Sequence, residues 1–144
     1  MPDQECAIRV KDGTFTWHRN GTASLKDINL EVPHGKLVAM VGSVGSGKSS
    51  LLSGVLGDME KIGGSVNVDG RIAFVPQQAW VQNATLRKNV TFTNAFDEKR
   101  YKKVIKACCM EPDINILADG DQTEIGERGI NLSGGQKQRI SLAR

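Results

Sequence analysis

Apolar and polar residues alternate through the first part of the chain with the period of two that is typical of β-strands. Two short runs, residues 7–10 and 14–17, flank Asp12 and Gly13, and this arrangement predicts a β-hairpin. A further alternating run over residues 25–32 predicts a half-exposed strand, which Pro33 and the residues after it end. The amino-terminal part is therefore predicted to be antiparallel β-structure with one face in water.

The pattern changes at residues 37–41, which are apolar without interruption. A continuous run of this kind suits a strand that is buried on both faces of a parallel sheet. Residues 49–56 then have a helical composition, and Gly57 is placed to end that helix. Further strands are predicted at residues 65–68 and 72–75, on either side of a turn, before a more irregular stretch.

Beyond Phe92 the apolar residues follow a helical spacing. Asp97 is predicted to cap a helix with an apolar face on one side. That face comprises Tyr101, Val104, Ile105 and Cys108. Lysines line the opposite side, which is predicted to be a solvated face.

Two more helices are predicted near the carboxyl end. Pro112 suits the first turn of a short helix that reaches Leu117. From Gly134 the sequence is helix-competent, with Ser133 as a cap, and it continues to Arg144. We interpret the chain as ending inside an element, and therefore as a fragment.

The composition fits one domain or part of one, because 144 residues can bury a core without disulfides. The formal charge of +3 and the lack of a basic tail argue against nucleic acid as a partner. Cys6, Cys108 and Cys109 form no CxxC pair and favour a reducing, cytosolic setting. No apolar run reaches the ~18 residues that span a bilayer, so any membrane role is expected to come from other segments.

A glycine-rich loop follows the apolar run at residues 37–41. Its eight residues satisfy the phosphate-loop pattern G-x-x-x-x-G-K-S, and they are Gly42, Ser43, Val44, Gly45, Ser46, Gly47, Lys48 and Ser49. The amides up to Ser50 are predicted to point at a β-phosphate, while Lys48 bridges the β- and γ-phosphates and Ser49 ligates magnesium. A flexible glycine turn is the alternative, which the flanking strand and helix disfavour.

A second motif lies close to the carboxyl end. It consists of Leu132, Ser133, Gly134, Gly135 and Gln136. A hydroxyl group and two glycines at the start of a helix form a second surface that can accept an anion. A glycine-rich helix cap is the alternative interpretation, and the presence of the upstream loop weakens it.

In this order the two motifs resemble the nucleotide-binding domain of ATP-binding-cassette (ABC) proteins. The segments around Trp17, Ser46, Gln77 and Gly126 are most similar to the first nucleotide-binding domain of the multidrug-resistance-associated proteins, the C subfamily. The resemblance implies an α/β phosphate-loop NTPase fold with a parallel core sheet flanked by helices and an antiparallel amino-terminal β-subdomain. It implies an ATP-binding core at about residues 7–92 and a helical subdomain at about residues 93–144.

The resemblance also implies roles for single residues. Trp17 matches the aromatic residue that stacks on adenine, although core packing is the competing reading for a tryptophan. Gln77 matches the Q-loop glutamine, a ligand of magnesium beside the attacking water, in a segment where helices of the membrane domain dock. The motif from Leu132 to Gln136 would contact ATP held by a second nucleotide-binding domain. The implied cofactors are ATP and Mg²⁺.

The implied function is energy transduction in an exporter of organic anions, conjugates or drugs, at the cytosolic face of a membrane. Its partners would be a second nucleotide-binding domain and transmembrane domains. The alternatives are a nucleotide sensor like the sulphonylurea receptors and a soluble ABC ATPase of chromosome maintenance or DNA repair. The Walker B strand, the catalytic base, the D-loop and the switch histidine are expected after Arg144, so these residues alone are predicted not to hydrolyse ATP.

Overall fold

A computed structural model describes residues 6–127 and 130–144. It divides the chain into two compact units, an amino-terminal unit that ends at Ile72 and a carboxy-terminal unit that begins at Ala73. Residues 75–85, which contain Gln77 and are called the Q-loop segment below, thus belong to the same unit as the helices that follow them. The predicted boundary near residue 92 remains a prediction about the complete domain.

The amino-terminal unit is a three-stranded antiparallel sheet with one helix. Its elements are β1 (Cys6–Thr16), β2 (Leu25–Pro33), α1 (Lys48–Leu56) and β3 (Glu60–Val68). The strand order is β2-β1-β3, so β1 is central and pairs on both edges. Val10, Phe15 and Met59 form the buried centre of this unit. The predicted strand at 25–32 and the predicted helix at 49–56 are confirmed.

The predicted hairpin around Asp12 and Gly13 is wrong, because residues 6–16 form one continuous strand. The register of β1 shifts between Val10 and Gly13 against β2, which is a β-bulge rather than a turn. Asp12 has a positive φ of 49° at the bulge. Gly64 in β3 has φ 73°, and a Cβ there would clash with the backbone carbonyl of Asp12. The strand continues because both of its edges find partners.

The predicted strands at residues 37–41 and 72–75 are not formed. Leu37 is fully exposed and Val41 is 92% exposed, while Ile72 and Phe74 are half exposed. An apolar strand of this kind needs hydrogen-bonded neighbours and covered faces, and the structure places no strand beside either segment within the described residues. The described residues therefore do not form the parallel core sheet. Their only parallel pairing is an isolated bridge between Ile125 and Ile130.

The carboxy-terminal unit is mainly helical. Its elements are β4 (Ala84–Thr85), α2 (Leu86–Thr91), α3 (Glu98–Ala107), α4 (Glu111–Asn115), a 3₁₀ turn (Gly120–Gln122), β5 (Glu124–Ile125) and α5 (Gly134–Ala143). No element was predicted for the residues of helix α2, which lie between the irregular stretch through Asn83 and the helical pattern beyond Phe92. At six residues it is too short to show a helical period, although Thr85 caps it by accepting a hydrogen bond from the Lys88 amide.

The three helices predicted in this unit are confirmed. Asp97 caps α3 by accepting a hydrogen bond from the Arg100 amide, and Tyr101 and Ile105 on its apolar face are buried. The α3 lysines are exposed as predicted, and they are Lys99, Lys102, Lys103 and Lys106. The core joins α2, α3 and α5 through Leu86, Ile105 and Ile140. Of the helices in the described residues, none combines the length and the apolar character that a membrane crossing requires.

Candidate nucleotide site

The phosphate loop leads directly into the first turn of α1. Gly45 and Gly47 have φ values of 82° and 92°, in the left-handed region that glycine tolerates without strain. Gly47 is the N-cap of α1, and among the described residues no side chain caps the helix. The first-turn amides, together with the positive end of the helix dipole, are thus available to an anion. This is the arrangement that the phosphate-loop pattern predicts.

The loop is closed by Lys48. Its Nζ donates hydrogen bonds to the carbonyl oxygens of Gly42, at 2.8 Å, and Ser43, at 2.7 Å. Gly42 is also close to the rest of the loop, because a Cβ there would lie 2.7 Å from Ser46 Oγ and that hydroxyl would have to rotate away. The ammonium group is therefore held beside the start of the loop, where it can exchange carbonyl oxygens for phosphate oxygens.

Helix α1 is fixed to the sheet by a close approach at Gly54. A Cβ at Gly54 would lie 3.2 Å from the ring of Phe15, which is fully buried. The loop itself remains accessible, because Val44 is completely exposed and Ser49 is exposed too. Ser50 is partly buried in the first turn of the helix. A rigid helix thus presents an open loop.

Trp17 follows the last residue of β1 and is 48% exposed. The neighbouring Thr16 is buried, and its hydroxyl hydrogen-bonds to the carbonyl oxygens of His18 and Thr22, at 3.1 and 3.2 Å. These bonds hold the turn in which Trp17 lies. About half of the Trp17 side chain is therefore accessible, and its stacking on adenine stays a prediction.

Gln77 is exposed in the carboxy-terminal unit, and its role with magnesium stays a prediction. The peptide before it is held by the signature helix, since Gln138 Nε2 of α5 donates a 3.1 Å hydrogen bond to the Pro76 carbonyl. Arg144 lies over the Trp80 ring, 3.9 Å from its centroid. Two side chains at the carboxyl end of the chain therefore fix the Q-loop segment.

Asn89 is the buried centre of these contacts. Its Oδ1 accepts hydrogen bonds from the Gln82 amide, at 2.7 Å, and from Arg144 Nη2, at 3.1 Å. Its Nδ2 donates to the carbonyls of Gln82 and Thr85, at 3.0 and 3.1 Å. Sequence reasoning missed all three of these residues. The partners of Gln138 and Arg144 lie 55 to 64 residues away, and no local motif marks Asn89.

The signature motif is an ordered helix start. Ser133 Oγ accepts a hydrogen bond from the Gln136 amide at 3.3 Å, and Gln136 Oε1 accepts one from the Ser133 amide at 2.9 Å, which together form a capping box. Leu132 is buried in the core, whereas Gly134 and Gly135 are exposed. A Cβ at Gly134 would meet open space. Ser133, Gly134 and Gly135, which we call the signature tip, are therefore anchored by Leu132 on one side and accessible on the other.

A partly buried ion pair links α4 to the helix that begins at this tip. Asp113 of α4 accepts hydrogen bonds from Arg139 Nε at 2.6 Å and Arg139 Nη2 at 2.8 Å, and also from Gln136 Nε2 at 3.3 Å. The hydrogen bonds from Arg139, assisted by the one from Gln136, hold the pKa of Asp113 below its usual range despite burial. Sequence reasoning missed Asp113 and Arg139 as well.

Comparison with known proteins agrees with both motifs. Residues 25–144 match the family described as "ABC transporter". Over 138 residues, 96% of this chain, the sequence is 52% identical to ATP-binding cassette sub-family C member 2 and 55% identical to sub-family C member 3, both of Homo sapiens. It is 56% identical over 141 residues to multidrug resistance protein mrp-7 of Caenorhabditis elegans. The chain spans 9% of the length of each of these relatives.

The family match confirms the α/β phosphate-loop NTPase fold of ABC type that the two motifs imply. The identities confirm the resemblance to the C subfamily. The phosphate loop, Gln77 and the signature motif all lie inside the matched residues, while Trp17 precedes them. Domains of this family bind ATP.

Proposed function

The chain belongs to the ABC transporter family, and on that basis we propose that it is an ATP-binding domain of an exporter of the multidrug-resistance-associated type. Its phosphate loop binds the triphosphate, and its signature motif contacts ATP on a second nucleotide-binding domain. ATP thus joins two domains, and their closure moves transmembrane helices. The transported compounds are organic anions, conjugates or drugs, and the domain works at the cytosolic face of the membrane.

The single observation that supports this proposal best is the shape of the phosphate loop. Glycines with left-handed backbone conformations lead into a helix without a side-chain cap, so amides and the helix dipole face an open space. Lys48 is already held beside the loop carbonyls, where it needs little movement to reach phosphate oxygens. A chance glycine turn would require neither feature.

The same loop suits a metal–nucleotide complex. The Ser49 hydroxyl is exposed at the start of α1 and is the residue that would hold magnesium, with Gln77 as a second oxygen ligand. When bound, magnesium would neutralise charge on the β- and γ-phosphates. The chain's own contribution is to bind and orient the nucleotide. Amides up to Ser50 hold the phosphates, and the half-exposed side chain of Trp17 accepts the adenine.

The signature motif supports the proposed second nucleotide-binding domain as a partner. Ser133 uses its oxygen to accept the Gln136 amide, so its hydroxyl proton can still be donated to a phosphate oxygen. Gly134 and Gly135 leave the backbone open to close approach. These groups belong to the carboxy-terminal unit, and the phosphate loop belongs to the amino-terminal unit.

A groove in the carboxy-terminal unit suits the proposed transmembrane partner. It has a volume of about 950 Å³ and is lined by parts of the Q-loop segment and of the chain before α5, among them Trp80, Asn83 and Ile130. Trp80 and Ile130 are 47% and 43% exposed, so the groove offers apolar surface beside polar groups. A helix of the membrane domain docked here would contact the segment that carries Gln77.

Binding of Mg–ATP to the purified protein tests the proposal. Replacing Lys48 by Ala should raise the Kd at least about tenfold, because a charge-assisted hydrogen bond contributes about 1.5–3 kcal/mol. Lys36→Ala is the matched control, since it removes an exposed positive charge just before the loop. Equal affinity for ATP in Lys48→Ala and Lys36→Ala would refute the site.

A further inference from the structure

We propose that Asp113 is a positioning residue for the signature motif, holding Gln136 and through it the Ser133 tip in the orientation that meets a phosphate. This inference rests on the proposed function, because it names the residue that prepares the tip for ATP. Asp113 lies in α4, 20 residues before Ser133, and is outside both nucleotide motifs.

The first observation is that both ends of the Gln136 side-chain amide are hydrogen-bonded. Its oxygen accepts the Ser133 amide hydrogen at 2.9 Å, and its nitrogen donates to Asp113 Oδ1 at 3.3 Å. An amide flip would turn the nitrogen toward another donor and the oxygen toward a carboxylate. Asp113 therefore selects the amide orientation that completes the capping box.

The second step is the stiffness of Asp113 itself. Arg139 holds the carboxylate with two parallel hydrogen bonds, a planar arrangement that fixes both groups. The Asp113 side chain is only 15% exposed, so water competes weakly for it. Because Arg139 lies one turn after Gln136 in α5, the Asp113 carboxylate is hydrogen-bonded to side chains from the first two turns of that helix.

The third step is the consequence for the tip. Ser133 and the two glycines are exposed and receive no packing on their outer side. Contacts on their inner side must therefore hold them in place. These contacts are the packing of Leu132 in the core and the Asp113–Gln136–Ser133 hydrogen bonds. A helix start that is already ordered loses less conformational freedom when it meets a phosphate.

The same unit contains a matched control. Asp121 accepts two hydrogen bonds from Arg87, at 2.9 and 3.0 Å, and within the described residues no hydrogen bond or ion pair joins it to the signature motif. The side-chain exposures are 39% for Arg87 and 16% for Asp121, against 39% for Arg139 and 15% for Asp113. Asp121→Asn thus removes an equivalent ion pair and reports the general loss of stability.

The experiment compares Asp113→Asn, Asp113→Glu and Asp121→Asn in the protein that carries this sequence. Hydrogen exchange is measured by mass spectrometry on peptides covering the start of α5, without nucleotide. ATP-driven association with the second nucleotide-binding domain and ATP affinity at the chain's own loop are measured on the same samples. Ser133→Ala is included as the variant that removes the contacting hydroxyl.

We expect Asp113→Asn to speed exchange at the start of α5 about tenfold more than Asp121→Asn, the effect of losing one charge-assisted hydrogen bond. It should also raise the ATP concentration for half-maximal association about tenfold while ATP affinity at the chain's own loop stays unchanged. Asp113→Glu keeps the charge and should restore part of both properties.

Equal effects of Asp113→Asn and Asp121→Asn on exchange and on association would overturn the inference, because Asp113 would then only stabilise the fold. The proposed function fails separately. If exchange responds to Asp113→Asn as expected but neither that variant nor Ser133→Ala changes association, Asp113 positions the helix start and the tip does not contact nucleotide.

Discussion

Asn89 is the residue whose removal should damage the carboxy-terminal unit most clearly. It is fully buried and joins the Q-loop segment to α2, with Arg144 reaching it from the end of α5. Replacing it by Ala deletes four hydrogen bonds of 3.1 Å or less, two from the Gln82 amide and Arg144 Nη2 and two to the carbonyls of Gln82 and Thr85. Arg144 keeps its bonds to the backbone carbonyls of Asn89 and Trp80, at 3.0 and 3.4 Å.

At about 1 kcal/mol of net stabilisation for each buried hydrogen bond, Asn89→Ala should lower the free energy of opening of this unit by about 4 kcal/mol. Native-state hydrogen exchange read on peptides of each unit separates this effect from opening of the amino-terminal unit. The Q-loop segment should show the largest increase in exchange, because three of the lost partners are in residues 82–85.

Asn29→Ala is the control for this prediction. Asn29 makes three hydrogen bonds, two with Asp12 and one with the Asp27 carbonyl. Asn29 is exposed, so water can replace these bonds. We expect a loss below about 1 kcal/mol in the amino-terminal unit. If Asn89→Ala costs no more than Asn29→Ala, the buried network does not hold the Q-loop segment.

Three further predictions concern other parts of the chain. Gly54→Val should destabilise the amino-terminal unit by about 1–3 kcal/mol in urea unfolding, because its side chain overpacks against Phe15; unchanged stability would contradict the close approach at α1. Since Arg139 holds the pKa of Asp113 below its usual value, the stabilisation is present above about pH 4 and is lost as the pH falls through the lowered pKa. The difference in urea midpoint between the parent and Asp113→Asn should therefore shrink in acid, and a difference independent of pH would argue against the ion pair. Trp17→Ala should raise the Kd for ATP about five- to tenfold through the loss of about 1 kcal/mol or more of stacking, with no change for tripolyphosphate, whereas equal losses for both ligands would exclude an adenine contact.

The elements that could be predicted from the sequence are those with a strong local signal. The cap at Asp97, the period of α3 and the glycine after α1 each act within a few residues, and all three were confirmed. Asp12 and Gly13 also carried a turn signal, but pairing on both sides of β1 turned it into a bulge. Tertiary context thus decided between two structures that the local sequence permits.

The segments that could not be predicted depend on partners distant along the chain. Residues 37–41 have the composition of a buried strand, yet among the described residues they have no strand to pair with. For the candidate site, the phosphate loop was predicted from its residue pattern and the signature motif from its resemblance to ABC proteins, because the residues of each motif are contiguous. Asp113 and Arg139 are 26 residues apart, and only the fold brings them together.

The central claim is that this chain binds one nucleotide through its phosphate loop and contacts a second nucleotide through its signature tip. The most direct measurement is the distance from Ser133 Oγ to the nearest γ-phosphate oxygen, in a structure of the protein that carries this sequence, trapped with ATP. The account predicts a hydrogen-bond distance of about 2.7–3.0 Å to ATP held by the second nucleotide-binding domain. A tip that points away from every triphosphate, or that contacts the ATP bound by its own Lys48, would contradict it.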